Sequence, residues 1–313
     1  MFEIIKTGTK FDFMGKMKLI STGSLIVCIA CLWAIFNKMN YGVDFRGGAE
    51  IQIKFQKTVA LDDLRSKLTT AGFSGVSVQT IGKESENNVL VKVQAKESEL
   101  NQVTEDISKT MQTSFADNPT TVEKVDIVGP KAGSELRSSA IKAMFWAIVS
   151  IMVYISVRFD FRYAPGTMVS IIHDLTIICG ILAFTGMEFS LQIVGALLAL
   201  IGYSVNDTVV VYDRIREYEG KNPEKSLLEN INDAVNDTLS RTIVTALATL
   251  IVCLAMYFFG GGAIKDFFFV LSVGIILGTY STVYVAAGFV VLSDVLSKKW
   301  SAKNSNASKK VTI

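Results

Sequence analysis

Hydrophobic positions in this chain gather into six long blocks, and charge returns only between them. Residues 19–36, 139–157, 164–186, 189–211, 242–259 and 265–292 are apolar almost throughout. Each is close to the roughly 20 residues that a helix needs to cross a hydrocarbon core, so the pattern predicts six transmembrane helices. The third and fourth blocks meet at Gly186-Met187-Glu188, a connection short enough to make their helices antiparallel neighbours. The last block is the longest, and its excess predicts tilt or a stretch lying at the interface.

Residues 37–138 read as a soluble domain. Ala49 to Phe55 alternates as a strand, Leu61 to Ala71 has helical spacing and stops at Gly72, and Val76 to Ile81 alternates again. Asn88 to Val93 predicts a third strand, Glu97 to Phe115 a second helix, and Thr121 to Val128 a fourth strand before Gly129-Pro130. The order β-α-β-β-α-β belongs to the ferredoxin-like arrangement of two split βαβ units. The predicted fold is a membrane all-α six-helix bundle with an inserted α+β ferredoxin-like extracytoplasmic domain. That insert carries no clustered acids, phosphate loop or nucleophile constellation, which leaves a binding or lever module as the expectation.

Composition agrees with this division, since half of the 313 residues are hydrophobic and 19% are charged. The net charge of +2 says little, but its distribution says more. Sixteen Lys and Arg lie in the tail 1–18, the connection 158–163, the loop 212–241 and the tail 293–313, against Lys265 alone in the opposite short loops 187–188 and 260–266. The positive-inside rule then places both termini in the cytoplasm and residues 37–138 in the periplasm, in a cytoplasmic (inner) membrane. The first block has no A-x-A-like cleavage site after it, which predicts a retained signal-anchor helix.

Cysteine and histidine usage narrows the chemistry. Cys28 and Cys31 form a C-x-x-C, but inside an apolar block without a neighbouring basic group, so packing is the expected role. Cys179 and Cys253 are also within apolar blocks, and His173 is the single histidine, which argues against a multi-histidine metal site. No metal, no cofactor and no nucleic-acid partner is expected.

Polar residues inside the apolar blocks are the functional candidates, because an acid at the centre of a membrane helix costs about 2.5–3.5 kcal/mol. Asp207 is the first, with Tyr203 four residues before it and Val209 to Val211 continuing the apolar run beyond it. Asn206 shares a helical face with Gly202, Ala199 and Gly195, and that small-residue face is expected to be the interior. Arg241 opens the next block, followed by Thr245 and Thr249 on one stripe, and is expected either to form an ion pair with Asp207 or to snorkel to lipid phosphates, Asp207 in the latter case capping or hydrogen-bonding a neighbouring helix near the cytoplasmic interface. His173 and Asp174 interrupt the third block, either as a helix-to-helix hydrogen bond or as a proton relay. Gly274 and Gly278 form a G-x-x-x-G packing signal.

Several ordered motifs carry a family resemblance. Phe11-Asp12-Phe13-Met14-Gly15-Lys16 precedes the first helix, and Tyr41-Gly42-Val43-Asp44-Phe45-Arg46-Gly47-Gly48 follows it. Arg158 to Arg162, His173-Asp174, Gly202 to Thr208 with Asp213 to Glu217, Ser240-Arg241-Thr242 and Gly278 to Ser281 complete the set. Together they resemble the SecF branch of the SecD/SecF export family, within the resistance-nodulation-division superfamily.

The resemblance implies an accessory subunit rather than an enzyme. Its six spans would pair with six of SecD and work beside the SecY/SecE/SecG channel, with YajC as a further partner. An ion gradient, H⁺ with Na⁺ as the alternative, would help draw unfolded exported polypeptide outward. Asp207 and Arg241 would be the acid and base of the ion path. A small-molecule or lipid exporter of the same superfamily is the alternative function. An intramembrane protease is disfavoured by the lack of a paired-acid, serine-lysine or zinc constellation.

Overall fold

A computed structural model of the chain describes residues 10–81, 86–95, 100–296 and 298. The tails before residue 10 and after 298, and the predicted start of a helix at 97–99, lie outside the described residues. In chain order, α1 (Met17–Lys38) leads through β1 (Asn40–Tyr41) into a single turn, α2 (Val43–Arg46). The inserted domain follows as β2 (Gly48–Phe55), α3 (Leu61–Thr70), β3 (Ser74–Ile81), β4 (Asn88–Gln94), α4 (Leu100–Ser114) and β5 (Thr120–Val128). The chain then returns through α5 (Pro130–Arg158), α6 (Ala164–Thr185), β6 (Glu188–Phe189), α7 (Leu191–Lys221), α8 (Leu227–Phe259) and α9 (Gly262–Ser281). A π turn at Thr282–Ala286 interrupts the last span, which as a whole runs over Ile264–Leu296.

Among the described residues, six helices are long and apolar enough to cross a membrane. Their ends differ from the hydropathy blocks. Helix α5 starts at Pro130 instead of 139, and most of the expected loop 212–241 is helix, with only 222–226 connecting α7 to α8. Hydropathy reports where lipid lies, whereas a helix continues while its backbone bonds and caps are favourable. Pro130 suits a first helical turn, Glu217 pairs with Lys221 one turn on, and Ser226 with Glu229 forms a reciprocal capping box that starts α8.

The sheet of the inserted domain has the order β3-β4-β2-β5, with every neighbouring pair antiparallel. The domain's first and third strands therefore lie at its centre, as in the ferredoxin-like topology. Alternation puts Ile51, Ile53, Val89, Val91 and Val93 on one face, where they bury against Leu64 and Leu68 of α3 and Ile107 and Met111 of α4.

Within the bundle, 56%, 50% and 50% of the apolar windows of α6, α7 and the last span are buried, against 11% for α1, α5 and α8. The former three make the centre, and the latter three leave wide faces open. Small residues set the closest approaches. A Cβ on Gly180 of α6 would come within 2.3 Å of the Cys31 side chain of α1, so Cys31 serves packing there. On α9, Gly274 lies against Leu200 and Gly278 against Ser204 of α7, as the G-x-x-x-G spacing suggests.

Candidate functional site

Helix α7 carries two polar faces turned to different neighbours. On one, the Asp207 carboxylate accepts a hydrogen bond from the Thr242 hydroxyl of α8 at 2.7 Å. Its other oxygen, Oδ2, is buried without a hydrogen-bond partner in the protein. An acid so placed is incompletely satisfied, and the open lone pairs are where a proton or a small cation can be held.

The expected Asp207–Arg241 ion pair is not formed among the described residues. Arg241 is exposed, because its neighbour Thr242 occupies the buried side of α8 and successive residues on a helix point about 100° apart. Tyr203 lies beside Thr245 and Thr249 on the same α7–α8 seam. Asn206, with Gly202, Ala199 and Gly195, is on the exposed side of α7, not in the interior. The reason is that α6 and α9 pack instead on the face bearing Ala196, Leu200 and Ser204. The small-residue stripe is left flat and open.

The second polar face centres on Asp174 of α6, which is 2% exposed. Its Oδ1 meets His173 Nδ1 at 2.9 Å, and its Oδ2 accepts from Ser204 of α7 at 3.1 Å and Ser281 of α9 at 2.7 Å. His173 Nε2 lies 2.5 Å from the Ser24 hydroxyl of α1. Four helices thus converge on one His-Asp pair. Ser24, Ser204, Ser281 and Thr242 were not singled out from the sequence, since an isolated Ser or Thr in an apolar block carries no signal of its own. Ser204 and Thr242 do stand within the motifs that surround Asp207 and Arg241.

The glycine signature after α1 builds a joint. Gly42 N–H donates to the Phe189 carbonyl at 3.0 Å, β1 pairs in parallel with β6, and Phe45 stacks on Phe189 with ring centroids 5.7 Å apart. Asp44 accepts the backbone N–H of Leu191 at the start of α7. Arg46 lies over the Tyr41 ring. Gly47, at φ +85°, is in the left-handed region against Pro130 of α5. At Gly48 a Cβ would come within 2.2 Å of the Val93 carbonyl. Backbone from α1, the sheet, α5 and the α6–α7 hairpin therefore meets in one place. At the opposite end, the Phe11 backbone exchanges hydrogen bonds with the Asn236 side chain of α8.

Comparison with known proteins adds the following. A family model described as protein export membrane protein SecD/SecF, C-terminal, matches residues 106–295, and one for the SecD/SecF GG motif matches residues 33–59. A protein translocase subunit SecF from Calditerrivibrio nitroreducens is 40% identical over 305 residues, 95% of this chain and 98% of the relative. A relative of the same name from Pseudomonas aeruginosa is 36% identical over 90% of each chain. The crystal structure of SecDF, a translocon-associated membrane protein from Thermus thermophilus, superposes with a TM-score of 0.80 at 32% identity. That match covers 93% of this chain and 40% of the longer one.

Proposed function

This chain belongs to the SecD/SecF family of protein export membrane proteins, and from that premise we infer that it is a multi-pass accessory subunit of the Sec export machinery. It is a transport component that associates with SecD. We propose further that it couples an ion gradient to late translocation of unfolded polypeptide beside the SecY/SecE/SecG channel, with YajC as an additional partner. In this reading the membrane is the inner one, both termini are cytoplasmic and the sheet domain is periplasmic, in line with the Lys and Arg count.

The observation that carries the coupling is the half-satisfied Asp207 carboxylate on α7, the helix whose other end is bonded to the glycine-signature joint. Binding of a proton removes the charge, loosens the Thr242 bond and lets α7 repack against α8. Because Asp44 ties the start of α7 to α2 and the sheet, a shift of that helix moves the periplasmic domain. Arg241 tunes the charge on Asp207 through space. One charge crossing 100 mV releases about 2.3 kcal/mol, on the scale of the few kcal/mol that separate two domain arrangements. Sodium is the alternative ion, since Asp207 and Thr242 offer only oxygen ligands.

The test is gradient-dependent export in membranes carrying Asp207→Asn, with the pH and sodium gradients collapsed separately. Loss of the gradient-dependent part, with ATP-driven export intact, is expected. Full retention overturns the reading.

A further inference from the structure

The four-helix convergence on His173 and Asp174 has a charge problem that the Asp207 site does not address. Three donors, His173 Nδ1–H and the Ser204 and Ser281 hydroxyls, fill the Asp174 carboxylate, which is the arrangement of an ionised acid. With a neutral imidazole the pair carries one negative charge in the core of the bundle. With Nε2 protonated it is neutral overall, and the Ser24 hydroxyl accepts from Nε2 instead of donating to it. Among the described residues no Lys or Arg forms an ion pair with Asp174. The charge of the pair is therefore set by one proton at Nε2.

The titratable groups facing the pair are Cys28 on α1 and Tyr280 on α9, whose ring is 6.0 Å from that of His173. Lys18 of α1 and Tyr284 line the same cavity as His173. Asp207, three residues past Ser204, is turned to α8, and α5 contributes no hydrogen bond or ion pair to the pair.

A row of buried hydroxyls leads away from the carboxylate side of the pair. Along α6, Asp174, Ser170, Thr167 and Tyr163 recur at spacings of four, three and four, and all are at most 2% exposed. Opposite them on α7 stand Ser204, Thr208, Tyr212 and Glu219. Thr208 meets Thr282 of the π turn at 3.0 Å, and the Tyr163 hydroxyl donates to Glu219 at 3.1 Å. Glu219 in turn pairs with Arg162 in the short 159–163 connection, where the seam reaches the bundle end. The Ser170 hydroxyl is buried with no partner, an open link in the middle of the seam.

We propose that His173 and Asp174 form a second proton-binding site, holding one exchangeable proton at Nε2 and filled from the cavity that His173 shares with Lys18, Ser21, Thr22 and Ser24. The proton adds to the Nε2 lone pair while the Ser24 hydroxyl turns from donor to acceptor, so no other reactant is consumed. The proposal adds to coupling at Asp207 and does not depend on it.

His173 is the only histidine in the chain, so ¹⁵N-histidine labelling of the full chain in lipid nanodiscs gives one imidazole to follow. Binding of one proton at Nε2 is expected to appear as a single step in its ¹⁵N shifts as the pH is varied. Asp174→Asn should lower its proton affinity at least tenfold, and Ser281→Ala, which removes one donor from the carboxylate, should raise it. Asp207→Asn should leave the midpoint in place, which separates this site from the coupling reading. Ser170→Ala with Thr208→Val, which lie on the carboxylate side, should leave both the midpoint and proton exchange at Nε2 unchanged. An imidazole fixed in one state across the range, or a midpoint unmoved by both Asp174→Asn and Ser281→Ala, overturns the site; slowed exchange in the Ser170/Thr208 variant overturns entry from the Ser24 cavity.

Discussion

Asp44, in the turn that follows α1, accepts the backbone N–H of Leu191 at 2.9 Å and so caps a helix 147 positions further along the chain. The acid sits at the positive end of the α7 dipole and satisfies one of its orphan donors. Replacing it with Ala should lower stability by about 0.5–2 kcal/mol and speed amide exchange at the first turn of α7. Thermal unfolding in detergent and exchange mass spectrometry would read the two effects. Unaltered exchange at that turn would show that the cap does not hold the joint.

Glu188 gives the same joint a pH dependence. Burial raises its pKa above the ordinary value of 4.5, against the opposing pull of Lys92 and Ser77, and its Oε2 is buried without a hydrogen bond. Between the unfolded and folded values the folded chain binds more protons than the unfolded chain, so stability falls as pH rises through that window and then levels off. Glu188→Gln should melt above the parent at about pH 7.5, and that advantage should vanish as pH falls to 4.5 and below. A constant offset at all pH values would contradict this account.

Gly48 is held by contact rather than by a turn. An added Cβ would come within 2.2 Å of the Val93 carbonyl, a backbone atom of the paired strand. Gly48→Ala should therefore part the start of β2 from β4 and cost about 1–3 kcal/mol. Gly72 has open space around it but a φ of +96°, so Gly72→Ala on the same domain tests backbone strain without the contact. Proteolysis of the sheet domain would distinguish the two positions.

Thr242 is the hydroxyl that holds Asp207, so Thr242→Val should orphan a buried acceptor at about 1–3 kcal/mol and impair gradient-dependent export. Thr242→Ser keeps the hydroxyl and should restore both. If Val and Ser behave alike, the bond has no part in coupling.

The apolar blocks and the β-α-β-β-α-β order were legible because membrane length and strand alternation are properties of single segments. Sheet order and cores then followed from burying one face of each strand. Partnerships were less legible, because they depend on how helices rotate against one another. The chain shows that Asp207 needs company but not that Thr242 supplies it, since Arg241 and Thr242 are adjacent and only the rotation of α8 decides between them. The Gly195–Asn206 stripe failed for a related reason: small residues mark a close approach, and nothing in their spacing says whether the approaching helix belongs to the same chain. The reach of Asp44 to α7 had no sequence signal beyond its motif.

The π turn at Thr282–Ala286 holds one residue more than a continuous α-helix would use over the same rise. Where it begins, the adjacent hydroxyls of Ser281 and Thr282 answer two different helices, one reaching Asp174 and the other Thr208. Shortening the chain by a single residue there would restore an unbroken spiral while Ala287 and Val290 still faced inward. Such a deletion is a local edit in a long span: it would withdraw one hydroxyl from the seam and leave the crossing intact.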